Sequence, residues 1–224
     1  MKIILTLWFL ALAFVAVGAP TKQEIERMTD LELIDLLTND DSSARCASLL
    51  ILGLRFNNPE SPVTMSPFLY QPCYPKGVTL PKGLLEKTVS LAKTDDDVHV
   101  RLVAVMALGM FKFRTNTTPI LTALLDDPTC IIRIRAAQGL IDFSDDYHEP
   151  ISDTVISTLI SCLDSTNPPD DVWQAEESLG DLGARAKQSL PFLVKLKHSK
   201  SPEVREYASE AIRKIKKELK RQKN

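Results

Sequence analysis

Glycine is scarce, with 8 residues in 224, and 44% of the chain is hydrophobic and 25% charged. That balance excludes a collagen-like or wholly disordered polypeptide. Four cysteines are too few to build a disulfide scaffold, and three histidines leave little material for a His-rich metal site. Neither sign of charge dominates. Lys and Arg total 27 against 29 for Asp and Glu, a formal charge of −2, so the whole chain carries no signature of polyanion binding and no nucleic-acid partner is expected. The chain also lacks G-x-S-x-G, H-E-x-x-H, C-x-x-C and any Gly-rich phosphate loop. No residue is assigned a catalytic role, and no metal or cofactor is expected.

Only one long apolar run is present, at the start. Residues 1–20 read MKIILTLWFLALAFVAVGAP. Lys2 is followed by an uncharged run from Ile3 to Val17, then by small residues, the three-part pattern of a secretory signal peptide. Cleavage is expected after Gly18, since cutting one residue later would place Pro20 first. The alternative is an uncleaved N-terminal anchor, for which the run is short, because a spanning helix needs about 20 apolar residues. The expected location is therefore periplasmic or extracellular.

Beyond the leader one pattern recurs. Arg101 is followed by Ala104, Leu108 and Gly109 at +3, +7 and +8; Arg45 by Ser48, Leu52 and Gly53; Arg133 by Ala136 and Leu140; Arg205 by Ala208 and Ile212. Near Val172 the frame persists without arginine, as Ala175, Leu179 and Gly180. Offsets of +3 and +7 share one face of an α-helix, and the small residue at +3 lets a neighbour approach. An amphipathic helix precedes each anchor, joined to it by a turn rich in Asp or Ser: Asn39-Asp40-Asp41, Asp95-Asp96-Asp97, Asp126-Asp127-Pro128, Asp170-Asp171 and Ser199-Lys200-Ser201-Pro202. Such turns suit helix N-caps, and the glycine at +8 is expected to be a C-cap. One helix pair cannot bury its apolar face alone, whereas a stack of pairs can. The expected fold is all-α, an α-solenoid of about five helix pairs at 30–56, 82–113, 118–143, 151–183 and 186–217. Residues 19–29 form a lead-in, and 30–224 form a single solenoid domain.

In these features the chain resembles the HEAT-repeat family, particularly the bacterial PBS-lyase-like form, with the best match at Gly183–Ile215. The resemblance implies that Asp95 and Asp127, six residues before Arg101 and Arg133, take part in a ladder bridging adjacent repeats. A calcium site in the acidic turns lacks the required spacing. The single His148-Glu149 pair falls short of the several such pairs that iron-binding helical-repeat hydroxylases carry. A bilin-lyase-like enzyme follows from the repeat's name alone and ranks third among the functional readings.

Two regions depart from a plain repeat. Residues 57–81 form an insertion with six of the 14 prolines, together with Phe68, Tyr70, Cys73 and Tyr74. The second helices of the first two repeats read as apolar all round, through Cys46, Ala47, Leu49 and Leu50 in one and Leu102, Val103, Val105 and Met106 in the other. Either the insertion folds over that face or the face is an open groove. Cys46 and Cys73 would meet if the insertion folds back, and Cys130 and Cys162 lie at ends that a solenoid makes neighbours; whether either pair is a disulfide stays open. The end of the chain is basic, from Arg213 to Lys223, suiting a terminal cap or contact with an anionic surface. Asn116-Thr117-Thr118 is a glycosylation sequon that matters only in a eukaryotic secretory pathway, while the repeats look bacterial.

The expected function is that of an exported, non-catalytic scaffold binding another protein. Its expected contacts are Arg135, Gln138, Trp173, Gln174, Glu177, Tyr207 and Glu210 on the inner helical face, in a row with Glu176 and Ile134, and Phe68, Tyr70 and Tyr74 in the insertion. The alternative is a structural subunit of an envelope complex.

Overall fold

The computed structural model describes residues 24, 27–57, 80–111, 114–148, 150–164 and 166–222. The leader and most of the insertion, with Phe68, Tyr70, Cys73 and Tyr74, lie outside the described residues. Ten α-helices are described: α1 Asp30–Leu36, α2 Ser42–Asn57, α3 Leu84–Thr94, α4 Val98–Met110, α5 Arg114–Ala123, α6 Cys130–Tyr147, α7 Asp153–Ser161, α8 Pro169–Asp181, α9 Leu190–Leu196 and α10 Pro202–Arg221. Short 3₁₀ stretches, Leu124–Asp126 and Gly183–Ser189, precede α6 and α9. Among the described residues there is no strand. The chain divides into two compact units, Met1–Thr117 and Thr118–Asn224.

Local chemistry sets the helix starts. Thr29 and Glu32 form a capping box at α1, each side chain taking a backbone N–H of the other residue. Asp97 caps α4 through the N–H of His99, Ser152 caps α7, and Ser201 caps α10 through Val204. Proline occupies the first turn of α8, α9 and α10, where its missing N–H costs nothing.

The recurrent arginine has one structural use. In Arg45, Arg101, Arg133 and Arg205 the Nη1 atom donates to the carbonyl oxygen six residues upstream, of Asn39, Asp95, Asp127 and Ser199, at 2.7–2.9 Å. Three of them also reach the following carbonyl, of Asp40, Pro128 and Lys200. Each arginine thus closes the turn that delivers the chain into its own helix and satisfies carbonyls that have no helical partner. The spacing of six therefore reports a backbone contact, not the carboxylate contact expected for Asp95 and Asp127. Asp127 spends its carboxylate on the N–H of Thr129. Asp95 does bridge repeats, but to the preceding arginine: Arg45 Nε and Nη2 each donate to its carboxylate at 2.9 Å. The pair is largely withdrawn from water, with side-chain exposures of 14% and 6%.

Within the first unit α2 packs on α4, and within the second α8 packs on α10. The same device permits both. A Cβ on Gly53 would stand 3.1 Å from Met110 Sδ and 3.5 Å from Ala107 Cα; one on Gly180 would stand 3.0 Å from Ala211 Cα. The +8 glycines are therefore not C-caps. Gly53 and Gly180 lie inside their helices and provide close approach to the next repeat. The core behind these contacts is aliphatic, with Leu33, Leu49, Leu52, Val103 and Leu108 buried in the first unit and Ile132, Ile134, Leu159, Leu179 and Ile215 in the second. Truncating one such Leu or Ile to Ala costs about 2–5 kcal/mol.

Most of the insertion expected to cover or rim the apolar face of α2 and α4 lies outside the described residues. Leu49, Val103 and Val105 are buried, and Cys46, Ala47, Leu50, Leu102 and Met106 are half-buried.

Candidate functional site

The second unit brings most of the expected contact residues into one row. Arg135 and Gln138 lie on α6, Trp173, Gln174 and Glu177 on α8, and Tyr207 and Glu210 on α10. All seven are half-buried, neither core nor fully solvated. Arg135 and Gln138, Gln174 and Glu177, and Tyr207 and Glu210 are each three residues apart, on one side of their helix, with Trp173 next to Gln174.

The row is cross-linked. Arg135 Nη1 donates to Gln138 Oε1 at 2.8 Å, and Gln138 Nε2 donates across to Ser178 Oγ on α8 at 2.9 Å. Ser178 Oγ in turn donates to the carbonyl of Gln174. Gln174 Nε2 reaches the carbonyl of Asp170, and Trp173 Nε1 reaches Asp170 Oδ1 at 3.2 Å. Trp173 and Tyr207 stack with ring centroids 4.9 Å apart and planes inclined by 24°, tying α8 to α10. Glu210 is held by Arg213 one turn further on. The expectation missed two members: Ser178, the bridge between α6 and α8, and Asp170, which fixes the indole.

The charges here are strained by burial. Arg135 is lowered from its ordinary pKa by loss of water, with Glu177 and then Asp171 opposing the shift. Asp171 is raised, first by burial and next by Asp170. Two buried atoms in the row, Arg135 Nε and Gln174 Oε1, have no hydrogen-bond partner. An unmade bond at a buried polar atom costs about 1–3 kcal/mol.

Glu176 departs most from expectation. Sequence spacing puts it on the solvated face beside Glu177, yet it is fully buried. Trp173, Glu176 and Gly180 form one stripe of α8; Trp173 stacks on Tyr207 and Gly180 meets Ala211, so this stripe faces α10. Neither carboxylate oxygen has a partner, and burial pushes its pKa up to about 8. Ile134 and Ala137, at the same offsets of α6, are buried too. The matching positions of α10, Glu206 and Ser209, are exposed. In α6 and α8 the +4 positions and Ile134 are therefore buried, while Trp173 at +1 stays half-buried beside the +2 and +5 positions of the row.

No other residue group competes strongly. Cys46, Cys130 and Cys162 are free thiols, so the structure contains no bridge between Cys130 and Cys162, and Cys73 lies outside the described residues. His148 is exposed in a left-handed conformation (φ 54°) where α6 ends, and His99 lies 3.3 Å from Asp97. Among the described residues no group of three or more His, Cys, Asp or Glu is placed to hold a metal ion. Of the basic residues in α10, Arg213, Lys214 and Arg221 pair with Glu210, Asp181 and Glu218, while Lys216, Lys217 and Lys220 are exposed.

Comparison with known proteins agrees with this architecture. Residues 85–180 match the family model described as HEAT repeats. The HEAT-repeat match begins in α3 and ends in α8, so it contains the Arg101 and Arg133 anchors, Arg135, Gln138, Trp173 and Gln174. The structure of the complex of CpcE and CpcF of phycocyanin lyase from Nostoc sp. PCC7120 is similar at a TM-score of 0.54 and 19% identity, covering 92% of this chain and 69% of that one. A designed armadillo repeat protein is similar at a TM-score of 0.53 and 17% identity, covering 96% of this chain and 93% of that one. At such identities the likeness concerns the fold: all-α, an α-solenoid in which HEAT-like helix pairs repeat. None of the curated proteins matches the sequence significantly.

Proposed function

We propose that this repeat scaffold is a non-catalytic module, exported from the cell, that binds a protein partner on the row formed by α6, α8 and α10. The observation that carries the reading is the half-buried row itself, with the stacked Trp173–Tyr207 pair on it. Trp, Tyr and Arg are the residue types that most often dominate binding energy. The hydrogen bonds from Gln138 to Ser178 and from Trp173 to Asp170 hold the row in place before a partner arrives, which lowers the ordering cost of binding. The likeness to a phycocyanin lyase complex concerns fold alone, and lyase chemistry is not part of the proposal. Contact with an anionic surface, if made, falls to Lys216, Lys217 and Lys220.

Cross-linking mass spectrometry on envelope extracts containing the tagged chain tests this. Partner cross-links are expected at the α6, α8 and α10 row and are expected to fall by about tenfold or more in Trp173→Ala, the loss typical of a hot-spot aromatic. The mature N-terminus in the same extracts is expected at Ala19. Cross-links confined to 57–81, or unchanged in Trp173→Ala, would remove the row as the binding surface; a retained residue 1–18 would remove cleavage.

A further inference from the structure

Cys130 and Cys162 are 32 positions apart in sequence and side by side in the second unit. Cys130 opens α6 and Cys162 caps the C-terminus of α7. Their exposures are 5% and 0%. The Cys162 thiol donates to the Cys130 carbonyl with sulfur and oxygen 3.8 Å apart. Contact between the sulfur of Cys162 and the backbone of Cys130, on consecutive helices, brings the pair near the separation that a disulfide needs.

We propose that Cys130 and Cys162 are a disulfide-forming pair, joined when the chain folds in the presence of a disulfide oxidant, so that a covalent bond staples the start of α6 to the end of α7.

The chemistry is asymmetric. The neighbouring Cys130, and after it Arg133, shift the Cys162 thiol below its ordinary pKa. The neighbouring Cys162, together with burial, shifts Cys130 up. Cys162 is therefore the nucleophile. With oxidised glutathione as oxidant, the Cys162 thiolate attacks one glutathione sulfur, the S–S bond breaks, and one reduced glutathione leaves. Cys130 then loses its proton to solvent, its sulfur attacks the Cys162 sulfur of the mixed disulfide, and the second glutathione leaves. Two protein thiols lose two electrons and two protons, and one glutathione disulfide becomes two glutathiones. Burial restricts this exchange to folding or to local opening of the helix ends, and afterwards shields the bond from reductants. Cys46 is the internal contrast: it is half-buried, and burial together with Asp97 pushes its thiol up to about 12.

The test uses the full chain, reduced and unfolded, refolded over a series of reduced-to-oxidised glutathione ratios, then acid-quenched, alkylated and digested with trypsin without reduction. Cleavage after Arg45, Arg55, Lys76, Arg133 and Arg185 places the four cysteines on four separate peptides. The expected product is peptide 115–133 linked to 136–185, in about tenfold or greater excess over any other pair, because the folded geometry supplies the effective concentration. The oxidised chain is expected to melt about 10 °C above the reduced one, the order expected for closing a loop of this length. The linkage disappears in Cys130→Ser and Cys162→Ser, with Cys46 still alkylated. Cys130 and Cys162 both remaining alkylated across the whole series, or joining Cys46 or Cys73 instead, would overturn the proposal. Should either variant fail to refold, the peptide map of the natural chain decides alone.

Discussion

The unpartnered carboxyl of Glu176 makes the stability of the second unit depend on pH in an unusual direction. Most acidic side chains favour the folded state when ionised; this one opposes it. Its folded pKa is about 8, against an ordinary value of 4.5 for the unfolded chain. Below pH 4.5 the group is protonated in both states and makes no difference. Between 4.5 and 8 the folded state holds a proton that the unfolded state has released, so stability falls as pH rises; above 8 both forms are ionised and the penalty levels off. At 1.36 kcal/mol per pH unit, the penalty is about 3 kcal/mol at pH 7 and about 5 kcal/mol above pH 8. Glu176→Gln keeps the size and a neutral polar head but cannot ionise. Urea denaturation followed by helical circular dichroism, in reductant at pH 5, 7 and 8.5, reads the difference between the two proteins. The variant is expected to be more stable by only about 1 kcal/mol at pH 5, by about 3 kcal/mol at pH 7 and by more at pH 8.5. Taking the difference cancels the opposite contribution of Cys162, whose lowered pKa favours the folded state as pH rises. Parallel stability curves, or a variant weaker than the natural chain at every pH, would refute the placement of an ionisable, unpartnered carboxyl between α8 and α10.

Two further predictions concern the packing. Asp95→Ala leaves Arg45 buried without its carboxylate and is expected to lower stability by about 3 kcal/mol, while Arg45→Met combined with Asp95→Ala recovers much of the loss; a denaturation double-mutant cycle measures both, and equal losses in the single and double variants would contradict the bridge. Gly180→Ala places a methyl group 3.0 Å from Ala211 Cα and is expected to lower stability by about 1 kcal/mol, the crowding exceeding alanine's helix preference. A stabilised variant in thermal melts would show that α10 yields.

The row at α6, α8 and α10 was legible because its residues occupy the same offsets from a repeating anchor. Arg135, Gln174 and Tyr207 are all at +2; Gln138, Glu177 and Glu210 are all at +5. Glu176 was misplaced because a charged residue at +4 reads as solvated, and only the rotation of α8 toward α10 shows otherwise. Ser178 was missed because serine inside a helix carries no sign of what it bridges. The anchor arginines were visible as a spacing, but their acceptors are backbone carbonyls, which have no letter in a sequence.

Periodicity alone determined that this chain is all-α and that its helices come in pairs, because a 3.6-residue repeat of apolar and small side chains is a local property of the polypeptide. Turn chemistry determined where several helices begin, since Asp97, Ser152 and Ser201 act within a few residues of themselves. Tertiary structure alone decided which partner each side chain found: Arg45 with Asp95, Gln138 with Ser178, Trp173 with Tyr207, and Cys162 beside Cys130. Those contacts join residues 32 to 50 positions apart. They depend on how far one helix can close on the next, which at α2–α4 and α8–α10 Gly53 and Gly180 set by having no Cβ to hold a neighbour away.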